Sequence, residues 1–127
     1  YYTVFYTGKV QSPEVLITTD NLTRPAAGKA AVRVINLAPD MPAADIVGKI
    51  VGAAGNLNTM FGNVPYKTDR PFTEINAGFY QLELRDVAGA TPLPTLTQNA
   101  QAVPLFIPGG APRNDFSMNF ESGMMYT

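Results

Sequence analysis

Two short stretches of this chain constrain its fold more than anything else in it, because each alternates strictly between apolar and polar residues. In Phe79 to Arg85, Tyr80, Leu82 and Leu84 interleave with Gln81, Glu83 and Arg85. In Asp115 to Glu121, Phe116, Met118 and Phe120 interleave with Ser117, Asn119 and Glu121. Side chains of an extended strand point to opposite faces in turn, so this pattern puts one apolar row on a core and one polar row in water. Both stretches read as antiparallel strands with Tyr80, Leu82, Leu84, Phe116, Met118 and Phe120 inside. Tyr1 to Thr7, Val15 to Thr19, Ala31 to Leu37, Asp45 to Val51, Asn58 to Phe61 and Leu105 to Ile107 are further candidates, rich in β-branched and aromatic residues.

The connections agree with an all-β chain. Eleven glycines and eleven prolines among 127 residues favour many tight turns over long helices. Asn76-Ala77-Gly78, Ala88-Gly89, Pro108-Gly109-Gly110 and Ala111-Pro112 read as such turns. One helical turn is expected at Pro39 to Ala44, where Asp40 can cap and Pro42 suits the first turn. Thr91 to Pro112 holds five prolines and is expected to run over the surface or along an edge. About seven or eight short strands at this spacing predict an Ig-like antiparallel β-sandwich.

Composition narrows the chemistry. At 46% hydrophobic and 15% charged residues, the chain can bury a real core. Its formal net charge of -1 lacks the basic footprint of nucleic-acid binding, so no nucleic acid is expected as partner. With no His and no Cys there is no thiol nucleophile, no histidine-based triad and no zinc site of nitrogen and sulfur ligands. No catalytic residue, cofactor or metal is assigned, and folding is expected to need no metal. No apolar run approaches the about 20 residues of a transmembrane helix.

Four features have a functional and a plain reading. Asp40 and Asp45 flank a proline-rich turn and are able in principle to share a hard cation; the preferred reading is an Asx-type turn built on Asp40. Lys67, Asp69 and Arg70 form a charged loop, read as solvated. Tyr1, Tyr2, Phe5 and Tyr6 are either an aromatic platform for sugars or, as preferred, core or cross-strand packing. Asn21-Leu22-Thr23 fits an N-glycosylation pattern, to which little weight is given.

The run Ala31-Val32-Arg33-Val34-Ile35-Asn36-Leu37-Ala38-Pro39-Asp40-Met41-Pro42-Ala43-Ala44-Asp45-Ile46 resembles the signature of domain-of-unknown-function family 4397, found in tandem copies in bacterial envelope proteins, notably of the Bacteroidetes. Phe61-Gly62-Asn63-Val64-Pro65-Tyr66, Ile75 to Arg85 with Gly78 and Tyr80, and Glu121 to Thr127 are similar to its later strands and turns. The resemblance spans about residues 29 to 127. It marks Pro39, Asp40, Pro42, Asp45, Val64, Pro65, Tyr66, Gly78 and Tyr80 as motif positions. It implies an Ig-like sandwich outside the cytoplasm, on the cell surface or secreted, with no established enzymatic activity, and the chain is expected not to be an enzyme. Two stretches depart from the family, a Gly-rich connection over Gly48 to Asn56 and a long segment over Gln98 to Arg113.

The ends carry a further expectation. Tyr1 to Gly8 resembles the closing strand of a preceding copy, and the chain stops just inside what resembles its own. Residues 1–28 are therefore read as an N-terminal strand and linker, and 29–127 as the sandwich. Either the chain is a piece of a longer tandem protein, or its N-terminal strand, with Tyr2, Val4, Phe5 and Tyr6, completes a neighbour's open sheet and builds a filament. The expected role is a structural or assembly domain whose partners are copies of itself or adjacent domains. The alternative is a carbohydrate- or protein-binding module, with a surface glycan as ligand.

Overall fold

A computed structural model describes residues 1–87 and 115–127. These contain nine strands and no helix. A hairpin opens the chain, formed by β1 (Tyr2–Lys9) and β2 (Ser12–Thr19). Then come β3 (Lys29–Val32), β4 (Ala44–Ile50), β5 (Asn58–Val64), β6 (Thr73–Asn76), β7 (Gly78–Asp86), β8 (Asp115–Phe120) and β9 (Met125–Tyr126).

Seven strands make two sheets, one in the order β5-β4-β7-β8 and one in the order β6-β3-β9. All pairings are antiparallel except β3 with β9, which run parallel through Ala31↔Met125 and Val32↔Tyr126. The sheets close on Ala30 and Val32 from β3, Ile46 from β4, Val64 from β5, Tyr80 and Leu82 from β7, and Phe120 from β8. This is the predicted sandwich, with an apolar core supplied by alternate residues of both sheets. Tyr80, Phe120 and Tyr126 stack edge to face, with ring centroids 5.5 Å and 5.1 Å apart. The Tyr80 hydroxyl donates to the Asn76 carbonyl at 3.0 Å, and burial pushes its phenol pKa above the ordinary value. A buried tyrosine needs such a partner for its polar end.

Gly48 lies in the middle of β4, so the Gly-rich connection begins later than its sequence suggests. A Cβ here would stand 2.5 Å from Leu82 Cδ2 and 2.6 Å from Met60 Sδ, so only glycine lets these side chains close over the strand. Nearby, the β4–β5 ladder shifts register between Ala44 and Ile46 and again between Ile46 and Val47.

Several expectations are corrected. Pro39 to Ala44 is no helical turn: Met41 N–H donates to the Ala38 carbonyl at 3.1 Å, and Ala44 already begins β4. Closely spaced prolines and a strand start leave no room for helical bonding. The strand expected over Ala31 to Leu37 ends at Val32, because the chain leaves the sheet where Arg33 turns into the interior. Phe116 is exposed near the start of β8, whereas Met118 is half-buried and Phe120 buried. Burial thus increases along that strand as it runs into the sandwich. β6 and β9 were not anticipated. Leu105 to Ile107, the turns Ala88-Gly89, Pro108-Gly109-Gly110 and Ala111-Pro112, and the Gln98 to Arg113 segment lie outside the described residues.

Tyr1 to Gly8 does form a strand, and its partner is in the same chain. β1 and β2 run antiparallel over eight residue pairs from Tyr2↔Thr19 to Lys9↔Ser12, closed by Val10 and Gln11. Among the described residues the ribbon joins neither sheet of the sandwich.

Candidate functional site

Two places deserve a functional reading, the motif loop at Asn36 to Asp45 and the hairpin that leans on it.

The loop is organised by Asn36, which is buried. Its Oδ1 accepts from Ala38 N–H at 3.0 Å, its Nδ2 donates to the Pro42 carbonyl at 3.5 Å, and its own carbonyl accepts from Lys67 N–H at 2.8 Å. The Asx turn is therefore built on Asn36, where it was expected on Asp40. A short amide side chain following a strand satisfies the backbone of a turn two residues on. Asp40 stands at the surface, with Lys9 Nζ 2.9 Å away. Asp45 is buried in β4, and its Oδ1 accepts from Asn63 N–H at 2.6 Å. Asn63 has φ 48°, a left-handed conformation that asparagine tolerates best after glycine. Arg70 completes the corner by donating to the carbonyls of Gly62, at 3.1 Å, and Asn63.

The two aspartates thus have separate duties, one fixing a bulge and one pairing with a lysine. No group of three or more acidic residues is placed to hold a metal among the described residues. Of the other motif positions, Val64 and Tyr80 are core, Pro39 and Pro42 shape the turn, and Pro65 leads into Tyr66. Gly78 opens β7 beneath the side chain of Ile50. Under the loop lies an open apolar hollow of about 230 Å³, lined in part by Leu37, Met41, Ala44, Val64 and Leu84.

The loop also receives the hairpin. Thr7 Oγ1 donates to the Leu37 carbonyl at 2.5 Å. Lys67 Nζ donates to Glu14 Oε2 at 2.8 Å, and the Tyr66 hydroxyl donates to Glu14 Oε1 at 3.4 Å. The lysine is the main reason that the Glu14 pKa is lowered. At the other end Asp20 accepts from Thr3 Oγ1 at 2.6 Å and pairs with Arg33 at 2.9 Å. Thr3 and then Arg33 lower the Asp20 pKa, against the effect of burial. The Arg33 side chain is only 2% exposed, and its Asp20 partner 10%. The guanidinium also lies 4.6 Å over the Phe72 ring and donates to Thr127 Oγ1 at 3.2 Å, while its Nε has no hydrogen-bond partner among the described residues. Arg33 was missed as a key residue in the sequence, where it lies within the strand expected over Ala31 to Leu37. The supposedly solvated Lys67, Asp69 and Arg70 loop proves structural, since Asp69 also approaches Arg33, at 4.0 Å.

These ties all use the inner face of the hairpin, which carries Thr3, Phe5, Thr7, Glu14, Leu16 and Thr18. By strand alternation the outer face carries Tyr2, Val4, Tyr6 and Gly8 opposite Thr19, Ile17, Val15 and Pro13. That face is open: Tyr2 is 73%, Val4 48%, Tyr6 81%, Val15 44% and Ile17 61% exposed. Of the four N-terminal aromatics, Tyr2 and Tyr6 therefore face outward, exposed Tyr1 precedes the ladder, and Phe5 turns inward, half-buried. Of the plain reading, core packing does not hold for Tyr1, Tyr2 and Tyr6, while Tyr2 and Tyr6 do stand in cross-strand pairs, opposite Thr19 and Val15. In the Asn21-Leu22-Thr23 stretch, Thr23 bonds back to Asn21 Oδ1 through both its N–H and its hydroxyl.

A family model described as Domain of unknown function (DUF4397) matches residues 1–47. The match is to the same family that the motif run resembles. It takes in the hairpin, β3, the Asn36 loop and the first part of β4, while the later segments of the resemblance lie beyond it. No curated protein and no solved structure matches the chain.

Proposed function

We propose that this chain, matched to the DUF4397 family over residues 1–47, is a non-catalytic structural or assembly domain of a bacterial surface protein, working outside the cytoplasm. It makes its contacts through the outer face of the β1–β2 hairpin. The observation that carries this reading is that open face, with five exposed apolar side chains on one side of a ribbon that is tied down on the other. Contiguous exposed apolar surface of this kind marks interaction sites. Support for a non-catalytic role comes from how the acidic groups are used: Asp45 holds a bulge, Asp20 a buried arginine and Glu14 a lysine. Catalysis needs titratable groups converging on a cleft. The extracytoplasmic placing rests on the family resemblance.

Assembly by face contact suits the hairpin better than strand exchange. To donate β1 to a neighbour, the chain would first have to open a ladder of eight residue pairs. The exposed Tyr2 and Tyr6 rings favour one competing reading, a sugar platform. A photo-crosslinking residue at Tyr6, in the protein as made by its own cell, separates the two. Protein adducts are expected. Polysaccharide adducts would replace this reading with the glycan-binding one, and a lack of any adduct would overturn both.

A further inference from the structure

We infer that the outer hairpin face is the seat of a second copy of this chain, two hairpins packing face to face about a two-fold axis. The inference rests on the assembly reading above and names its partner.

The first argument is chemical. The eight positions of the face are Tyr2, Val4, Tyr6, Gly8, Pro13, Val15, Ile17 and Thr19, and none is charged or an amide. A two-fold axis brings each surface against itself, so a charged face meets like charge and is penalised. An uncharged face has no such penalty, and a chain net charge of -1 adds little long-range repulsion. A sugar site, by contrast, needs several directional polar groups, and this face offers only the hydroxyls of Tyr2, Tyr6 and Thr19.

The second argument is area. At the exposures given above, the five apolar residues present about 600 Å² per copy, at the top of the range for the largest patch on a typical monomer. Complete burial of two such faces would remove at most about 1,200 Å² from water, the lower edge of the range for specific interfaces. The third is shape. A two-stranded ribbon tied down by its inner face leaves its outer face as a surface on which another sheet packs about 10 Å away. Val4 pairs with Ile17 at the middle of the three apolar cross-strand rows, so the axis passes close to that pair.

The test uses the intact chain and charge exchange at the axis. Sedimentation over roughly 1–200 μM should show the mass rising from 13.6 kDa to twice that value, since an interface at the small end of the range binds weakly. Ile17→Lys and Ile17→Glu should each stay monomeric, and their equimolar mixture should associate again at low salt. Ile17 is exposed, so both variants should melt like the parent; Tyr6→Ser serves in place of any that does not. A parent monomeric throughout, an Ile17→Lys variant that still dimerises, or a mixture that fails to associate would each overturn the inference. If the parent is monomeric while Tyr6 crosslinks to other proteins, the second copy is excluded and the assembly reading stands. If Tyr6 gives no protein adduct, the reading itself falls.

Discussion

The sandwich and the hairpin are both antiparallel β-structure, yet they are held by different forces. In the sandwich, Val32, Ile46, Val64, Leu82 and Phe120 meet between two sheets, and burial of apolar surface sets the stability. The hairpin reaches the body through directional polar ties: Asp20 with Arg33, Glu14 with Lys67, Thr7 with the Leu37 carbonyl, and Lys9 with Asp40. A core uses every apolar side chain that points into it. A ribbon docked by ion pairs and hydroxyls uses only one of its faces, and the other remains free for contact.

Arg33 is where the two regions join, so removing it should have the largest effect. Arg33→Met leaves Asp20 without its cation and empties the buried place of the guanidinium, so it should destabilise the chain more than any other single change named here. The double variant with Asp20→Asn should be less destabilised than Arg33→Met, because no uncompensated buried charge is left. Urea denaturation of both variants checks this, and equal losses would mean that Asp20 contributes nothing to the junction.

Within the body, Leu82→Ala should cost about 2–5 kcal/mol through the cavity it leaves. On the outer face of the hairpin, Ile17→Ala should stay within about 0.5 kcal/mol when measured on monomer. Similar losses at both positions would erase the distinction between core and free face. Gly48→Ala should cost about 1–3 kcal/mol by overpacking Leu82 and Met60. Adding Met60→Ala should return part of that loss, whereas no recovery would place the strain in the backbone instead.

What the sequence disclosed follows the same division. β7 and β8 are legible because an alternating strand with one buried face has no other economical fold. β6 and β9 are four and two residues long, too short for any period to show. Tyr1 to Thr7 and Val15 to Thr19 show strand composition without the strict alternation of β7, and their pairing with each other was not visible. Val10-Gln11 lacks the Asn-Gly type of hairpin signal, and Pro13 argues against a strand. The junction is least legible, since Arg33 gathers Asp20, Asp69, Phe72 and Thr127, which only the tertiary fold brings together. Asn36 was visible in principle as an asparagine between a strand and Leu-Ala-Pro, a place where Asx turns form.

Acid should separate the two regions with the smallest effect. Asp20 and Glu14 both have folded pKa values below their ordinary 3.8 and 4.5, through Thr3 and Arg33 in one case and Lys67 in the other. Carboxylates lowered by folding stabilise the folded form above those ordinary values, and this is lost as pH falls through the folded ones. Both groups lie between hairpin and body, so below about pH 4 the loss should fall first on the docking of the ribbon. Nuclear magnetic resonance of the backbone amides on lowering the pH from 6 to 3 should show signals of β1 and β2 shifting or broadening before those of β4 and β7. In Asp20→Asn with Glu14→Gln, the interval between the two sets should narrow, since the two junction carboxylates whose pKa values folding lowers are gone. If hairpin and sandwich signals already change together in the parent, the ribbon is part of one cooperative unit, and its polar ties add no separate weak point.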